Sequence, residues 1–383
     1  MQITVNKMAG KTSFLYEGAG INFIHELSYS EHLAPTDDSL FRIALLARPA
    51  NDPTYSVTGV VPSSSSIDFF EKAYKCRIHA TACDTPVPGP AKTLANDIYL
   101  CFSGGFDSIA AKAILPDSVK LISNEFGGAF ERESVFFKKF DTTVVQWNLR
   151  RPRSDGLPKF NESIDWRFML APGLLLKQEG KPITLATGTI LEASPFWYAG
   201  QTKPDFQSYS SFGFGPDVSV INPVACISEF ATTLIAARQL SPELLNQSLD
   251  SLAAPKSLKR YRKEVLIALA QDRSVRAPHP EMPKHSFGRG IGDDAVALYL
   301  TWKLGRDWVV ENYCSDIPTC SKYLDMSFFE RIHENNLNCF NEEDKKSLLK
   351  RLAEFDLDIY DKNDYDNLEK SKALRQEFIS SSN

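Results

Sequence analysis

The stretch Ile98-Tyr-Leu-Cys-Phe-Ser-Gly-Gly-Phe-Asp-Ser-Ile-Ala-Ala-Lys112 constrains this chain more than any other. Its apolar run, Ile98 to Phe102, stops at Ser103-Gly104-Gly105, and a helical pattern begins at about Asp107. That order predicts strand, glycine turn, helix. Two adjacent glycines let a ligand approach the backbone with no β-carbon in the way, and the unpaired N–H groups opening the helix favour negative charge. Ser103 and Ser108 add hydroxyl donors, while Asp107 is the candidate to hold a Mg²⁺ that bridges phosphates. The stretch reads as a phosphate site. The plainer reading is a glycine turn capped by Asp107, which any α/β protein can carry.

Composition narrows the field. A chain of 383 residues can bury two cores and carry a terminal appendage. Its net charge of −5 supplies no general basic field, which disfavours broad nucleic-acid or anionic-membrane binding. No apolar run is long enough to span a bilayer and the N-terminus lacks a signal peptide's apolar core, so a cytosolic protein is expected. Seven cysteines with no C-x-x-C argue against a disulfide framework or a ribbon-type zinc site. Cys314, Cys320 and Cys339 are separated by five and eighteen residues, a spacing that fits no common zinc pattern.

Read in order, residues 1–92 form short β-rich segments, Phe41 to Leu46 among them, separated by Gly, Pro, Asp or Ser; they predict a small, mainly-β domain. Asp84 to Pro90 is rich in breakers and marks the expected boundary. From residue 93 to 275 strand and helix alternate, the pattern of a parallel twisted sheet with helices on both faces. Ligands of such sheets sit beyond the carboxyl ends of the strands, where Ser103, Asn124 and Thr187 are expected to converge. A polar loop holding Arg150, Arg151, Arg153 and Lys159 precedes a helix expected to bend at Pro172. Lys256 to Arg273 is a basic helix, read as a solvated face or as an RNA or phosphate patch. Ala277 to Gly292 reads as a flexible loop whose His285 and Arg289 are its only chemical groups, with a structural role the simpler one for His285. Residues 276–383 are a helical C-terminal region whose charged tail, from Asp356, is expected to fray.

The motif S-G-G-x-D-S is neither a Walker A loop nor a dinucleotide fingerprint. It resembles the pyrophosphate loop of the PP-loop ATP pyrophosphatase (adenine nucleotide alpha-hydrolase-like) superfamily. The layout is most similar to 7-cyano-7-deazaguanine synthases: the loop Ser123 to Glu133 stands where an adenine is taken, then Trp166-Arg167, Leu185-Ala-Thr-Gly188 and Glu192 follow in the same order. The resemblance covers roughly residues 97 to 240. It departs in two places, because the four-cysteine zinc cluster has no counterpart and the usual Ser-Lys reads Ser228-Glu229. It also implies no in-chain glutaminase, since Met1 is followed by Gln2 and the nearest cysteine is Cys76.

The resemblance implies binding of ATP and Mg²⁺ by Ser103, Gly104, Gly105, Phe106, Asp107, Ser108, Asn124, Thr187 and Gly188, with Asp107 as metal anchor. Arg167 is the expected phosphate clamp, and Glu192 either orients substrate, activates a nucleophile or is an exposed helix residue. The implied activity is an AMP-forming ligase, C–N bond forming, acting on a small-molecule carboxylate or carbonyl. Sulfur transfer ranks lower because Cys101, on the strand beside the loop, is expected to be buried and Cys226 has no evident partner. The rivals are a non-catalytic nucleotide sensor or scaffold that docks a partner protein through its β domain or charged tail, and a tRNA-modifying enzyme.

Overall fold

In β2 (Lys11–Gly18) Thr12, Phe14 and Tyr16 are buried while their neighbours are not, the period of a strand with one covered face. The covering element is α1 (Asp37–Leu46), and Tyr16 donates its hydroxyl to the Ala44 carbonyl at 2.8 Å. Phe41 to Leu46 is therefore helix and not the strand its composition suggests. Thr36 caps it, accepting from the Ser39 N–H, and every residue from Ser39 to Leu46 is buried. A run buried on all sides shows no period, so only the cap, Thr36-Asp37-Asp38, signals helix.

The computed structural model describes residues 1–18, 20–49, 51–84, 94, 97–127, 130–148, 167–193 and 213–382, the side chains of 167, 168, 193 and 382 excepted. The protein is α/β, with ten strands and twelve α-helices among the described residues. It forms two compact units, each made of several chain segments.

The first unit comprises Met1–Ser103, Asp117–Thr187 and Gln207–Ile221, and holds the whole sheet. Its remaining strands are β1 (Gln2–Met8), β3 (Ile21–Ser28), β4 (Thr54–Thr58), β5 (Arg77–His79), β6 (Ile98–Cys101), β7 (Lys120–Glu125), β8 (Thr142–Trp147), β9 (Ile183–Ala186) and β10 (Val218–Ile221). They run β10-β9-β6-β7-β8-β3-β2-β1-β4-β5, mostly parallel, with β1 to β3 an antiparallel meander. The strands on either side of the expected boundary at residue 92 thus share one sheet. The seam is the antiparallel pair β3 and β8, where Leu27 faces Trp147 and the Asn148 side chain accepts the Glu26 N–H at 2.6 Å. Phe14, Tyr16, Leu27, Val145 and Trp147 are buried in one core, each burial contributing about 1.5–3 kcal/mol. The other helices of this unit are α2 (Ser64–Tyr74), α4 (Glu131–Phe137) and the single turn α5 (Arg167–Leu170), which continues as a 3₁₀ helix over Ala171–Leu176 with Pro172 near its start. The expected linker at 85–90 and the arginine loop lie outside the described residues.

The second unit comprises Gly104–Pro116, Gly188–Phe206 and Asn222–Asn383, and is helical. It contains α3 (Phe106–Ile114), α6 (Glu229–Gln239), α7 (Pro242–Leu252), α8 (Leu258–Ala270), α9 (Ile291–Leu304), α10 (Arg306–Asn312), α11 (Glu342–Ala353) and α12 (Lys362–Ser382). Gly305, at φ 89°, divides α9 from α10. The tail expected to fray is the helix α12, whose Leu368 and Ser371 are buried and whose Phe378 packs edge-on against Phe287 at 5.1 Å. Among the described residues, no helix is long and apolar enough to cross a membrane.

Candidate functional site

The expected residues fall into two sets. In the first unit, β9, β6 and β7 are neighbours, with Leu100 of β6 beside Ala186 of β9 and Cys101 beside Ile122 of β7. The chain passes from β6 outward to β7 and β8 and then returns to β9 on the other flank of β6, which makes β6 and β9 the topological switch point. Ser103, Asn124 and Thr187 lie at the carboxyl ends of these three strands, as expected. Ser103 is exposed and Thr187 half-buried, with the Thr187 N–H donating to Ile221. The Asn124 amide donates to the Met169 carbonyl at 2.6 Å, while its buried Oδ1 has no partner among the described residues. Arg167 opens α5, and its side chain lies outside the described residues.

The second set is in the second unit, around the first turn of α3. Gly104 takes φ 79°, the left-handed region that glycine enters without strain, and Gly105 is the N-cap. Among the described residues no side chain caps this helix. The Ser248 hydroxyl fixes the turn by donating to the Gly104 carbonyl at 2.8 Å, and the buried Ser108 hydroxyl donates to the Gly105 carbonyl at 2.9 Å. Phe106 is buried. Asp107 is 35% exposed; its Oδ1 accepts the Thr232 hydroxyl at 2.8 Å and has Lys263 Nζ at 3.9 Å. Gly188 belongs here too, its α-carbon so close to α3 that a β-carbon would stand 3.0 Å from the Asp107 carbonyl.

Glu192 is not an exposed helix residue. It sits on a 3₁₀ turn, 2% exposed, and its Oε1 accepts the Glu229 N–H at 2.7 Å while Oε2 is buried with no partner among the described residues. Burial pushes its carboxyl up to about 8, with the charges of Glu229 and Asp107 adding to the effect and the Glu229 N–H opposing it. A carboxyl that is largely neutral at pH 7 can donate as well as accept.

Glu229, where the resemblance has a lysine, is the centre of a buried ion cluster. Lys263 Nζ is 2.9 Å and Arg262 Nε 3.2 Å from its Oε1, and Arg262 also pairs with Asp293. Burial alone would raise Glu229, but Lys263 first and Arg262 second hold it below the usual carboxylate range. The basic helix, α8, is thus not simply a solvated face: Lys263 is 4% exposed with its ammonium 5.1 Å from the Phe106 ring centre. Outward-facing Arg260 is paired with Asp250 and Glu264. The spacing carried the signal for Lys263, because it shares a helical stripe with Leu266, Ile267 and Ala270.

His285 is structural. Its Nε2 is hydrogen-bonded to Asp294 Oδ1 at 2.6 Å, the same oxygen accepts the Gly288 N–H, and Arg375 of α12 meets Oδ2 at 2.6 Å. The segment read as a flexible loop is held at this point. Cys226 is fully buried and its thiol raised; burial pushes Cys101 up to about 12, so neither is primed as a thiolate. Among the described residues no group of three or more His, Cys, Asp or Glu could hold a metal.

No family model, curated protein or solved structure matches the chain. Its reading therefore rests on these two sets of residues.

Proposed function

We propose that the protein is an ATP-dependent, AMP-forming ligase or synthase that adenylates a small-molecule or nucleobase-like carboxylate or carbonyl and releases pyrophosphate. The observation that carries this reading is the path of the chain out of β6. After Ser103 it turns through Gly104 at φ 79° and enters α3 with Gly105 as the N-cap. Such a turn presents a helix N-terminus and its dipole to an anion.

In the proposed reaction a substrate oxygen attacks the α-phosphorus of ATP. That P–O bond forms as the bond from phosphorus to the oxygen bridging to the β-phosphate breaks, and pyrophosphate leaves with the electron pair. Ser103 to Ser108 stabilise the charge gathering on the leaving group. Asp107 fits a metal only in part, since Thr232 donates to one of its oxygens and, among the described residues, no group of three or more His, Cys, Asp or Glu could hold one; it would hold Mg²⁺ together with the nucleotide's own phosphates. Bound there, Mg²⁺ supplies charge neutralisation. Thr187 and Gly188 allow close backbone approach, Arg167 is the candidate clamp, and Glu192 exchanges a proton with substrate or nucleophile.

Incubation of the full chain with α-labelled ATP and candidate carboxylates tests the proposal. AMP and pyrophosphate are expected, falling by about 100-fold or more in Asp107→Ala/Ser108→Ala. Release of ADP and phosphate instead would rule it out. The buried pairing of Glu229 favours a second reading, a nucleotide sensor; tight ATP binding with no AMP formed would select it.

A further inference from the structure

Lys263 is buried between two carboxylates, and neither depends on it alone. Glu229, 2.9 Å away, also has Arg262 at 3.2 Å; Asp107, 3.9 Å away and beyond hydrogen-bond reach, already accepts the Thr232 hydroxyl. An ammonium carries three N–H donors, and Lys263 meets Glu229 as an ion pair. Lys263 can therefore turn toward a new anion while both carboxylates keep a partner. The ring of Phe106, 5.1 Å from Nζ, keeps the ammonium beside the first turn of α3. A second observation points the same way: Glu192, near enough for Asp107 to bear on its charge, buries Oε2 without a partner among the described residues.

We infer that Lys263 is the cation that meets the ligand's phosphates at the first turn of α3, with Glu229 the counter-ion that holds it there until the ligand arrives. The inference rests on the nucleotide reading above and adds to it the residue that contacts the pyrophosphate group. Holding a lysine by a releasable carboxylate keeps its charge paired until one anion replaces another.

Calorimetry on the full chain with two probes, inorganic pyrophosphate and ATP with Mg²⁺, tests it. Lys263→Met should weaken both by about 10- to 100-fold, the range of a lost charge-assisted contact, and Lys263→Arg should restore most of the loss. Glu229→Gln, which frees the ammonium, should tighten pyrophosphate binding, whereas a purely structural ion pair would make this variant bind no better than the parent. If Lys263→Met fails to fold, Lys263→Met/Glu229→Gln removes both charges and should show the same loss. A parent chain that binds neither probe overturns this inference and the proposed function together. A parent that binds both, with Lys263→Met or the double variant unchanged, overturns the inference alone.

Discussion

Gly188 lies with its α-carbon against the backbone of Asp107, so that a β-carbon there would stand 3.0 Å from the Asp107 carbonyl carbon and oxygen and 3.1 Å from the Ser108 nitrogen. The obstacle is helix backbone, which has little freedom to move. Gly188→Ala should therefore destabilise the protein by about 1–3 kcal/mol, the range for overpacking, and weaken ATP binding by displacing the first turn of α3. Gly292 provides the opposite case: it is helical, in α9, with nothing within 4 Å of an added β-carbon. Gly292→Ala should stabilise by about 0.5–1 kcal/mol. Urea unfolding of both variants checks the pair; equal signs would sink the packing argument.

Glu192 makes stability depend on pH. Its carboxyl is raised from 4.5 to about 8 in the folded chain, so the native state binds a proton that the unfolded state has released. The stabilisation is complete below about 4.5 and is lost as pH rises toward 8, by up to about 1.4 kcal/mol per pH unit. Glu192→Gln mimics the neutral form and removes this dependence. Unfolding free energies between pH 6.8 and 8 should fall more steeply for the parent than for the variant. Parallel curves would mean that Glu192 is ionised throughout.

Arg375 ties α12 to the segment before α9 through Asp294, which is fully buried and also bonded to His285. Arg375→Leu removes the one guanidinium facing that carboxylate among the described residues and leaves its charge in the interior. A loss of about 3–5 kcal/mol is expected in denaturant titration. A loss below about 1 kcal/mol would show that α12 is only loosely docked.

How far these features were legible in the chain follows from the range of their causes. Strand, turn and helix around Ser103 to Asp107 are coded by neighbours, as is the run of β8 over Thr142 to Trp147. Phe41 to Leu46 misleads because total burial erases periodicity. The tail misleads for the opposite reason: α12 docks through a stripe that includes Ser371 and Arg375, polar positions satisfied only by partners far away in sequence. Pairing of Leu27 with Trp147 spans more than a hundred residues and leaves no local mark. At the candidate site the glycines and Asp107 announce themselves and the apolar stripe of α8 marks Lys263, while the partners of Lys263 and the burial of Glu192 emerge only from the packing of segments far apart in sequence.

Asp217 offers the most demanding test in the first unit. It is fully buried between Arg42 Nη1 at 2.6 Å and Lys177 Nζ at 2.8 Å, and so joins α1 to the chain that leads into β10. The two cations differ in what else they have. Arg42 also pairs with Asp38 at 2.5 Å and donates to Ser66, whereas among the described residues Lys177 otherwise reaches only the Gln178 carbonyl at 3.4 Å. Asp217→Ala therefore leaves Lys177 with its charge buried and unpaired, and should cost about 3–5 kcal/mol. Lys177→Met should cost less, because Asp217 retains Arg42. The double variant should be more stable than Asp217→Ala alone, since it removes the stranded ammonium along with its carboxylate; the cycle of four proteins reads this as a coupling of about 0.5–3 kcal/mol. Additive costs would mean that Lys177 reaches water once Asp217 is gone, and that Arg42 alone fastens α1 to the sheet.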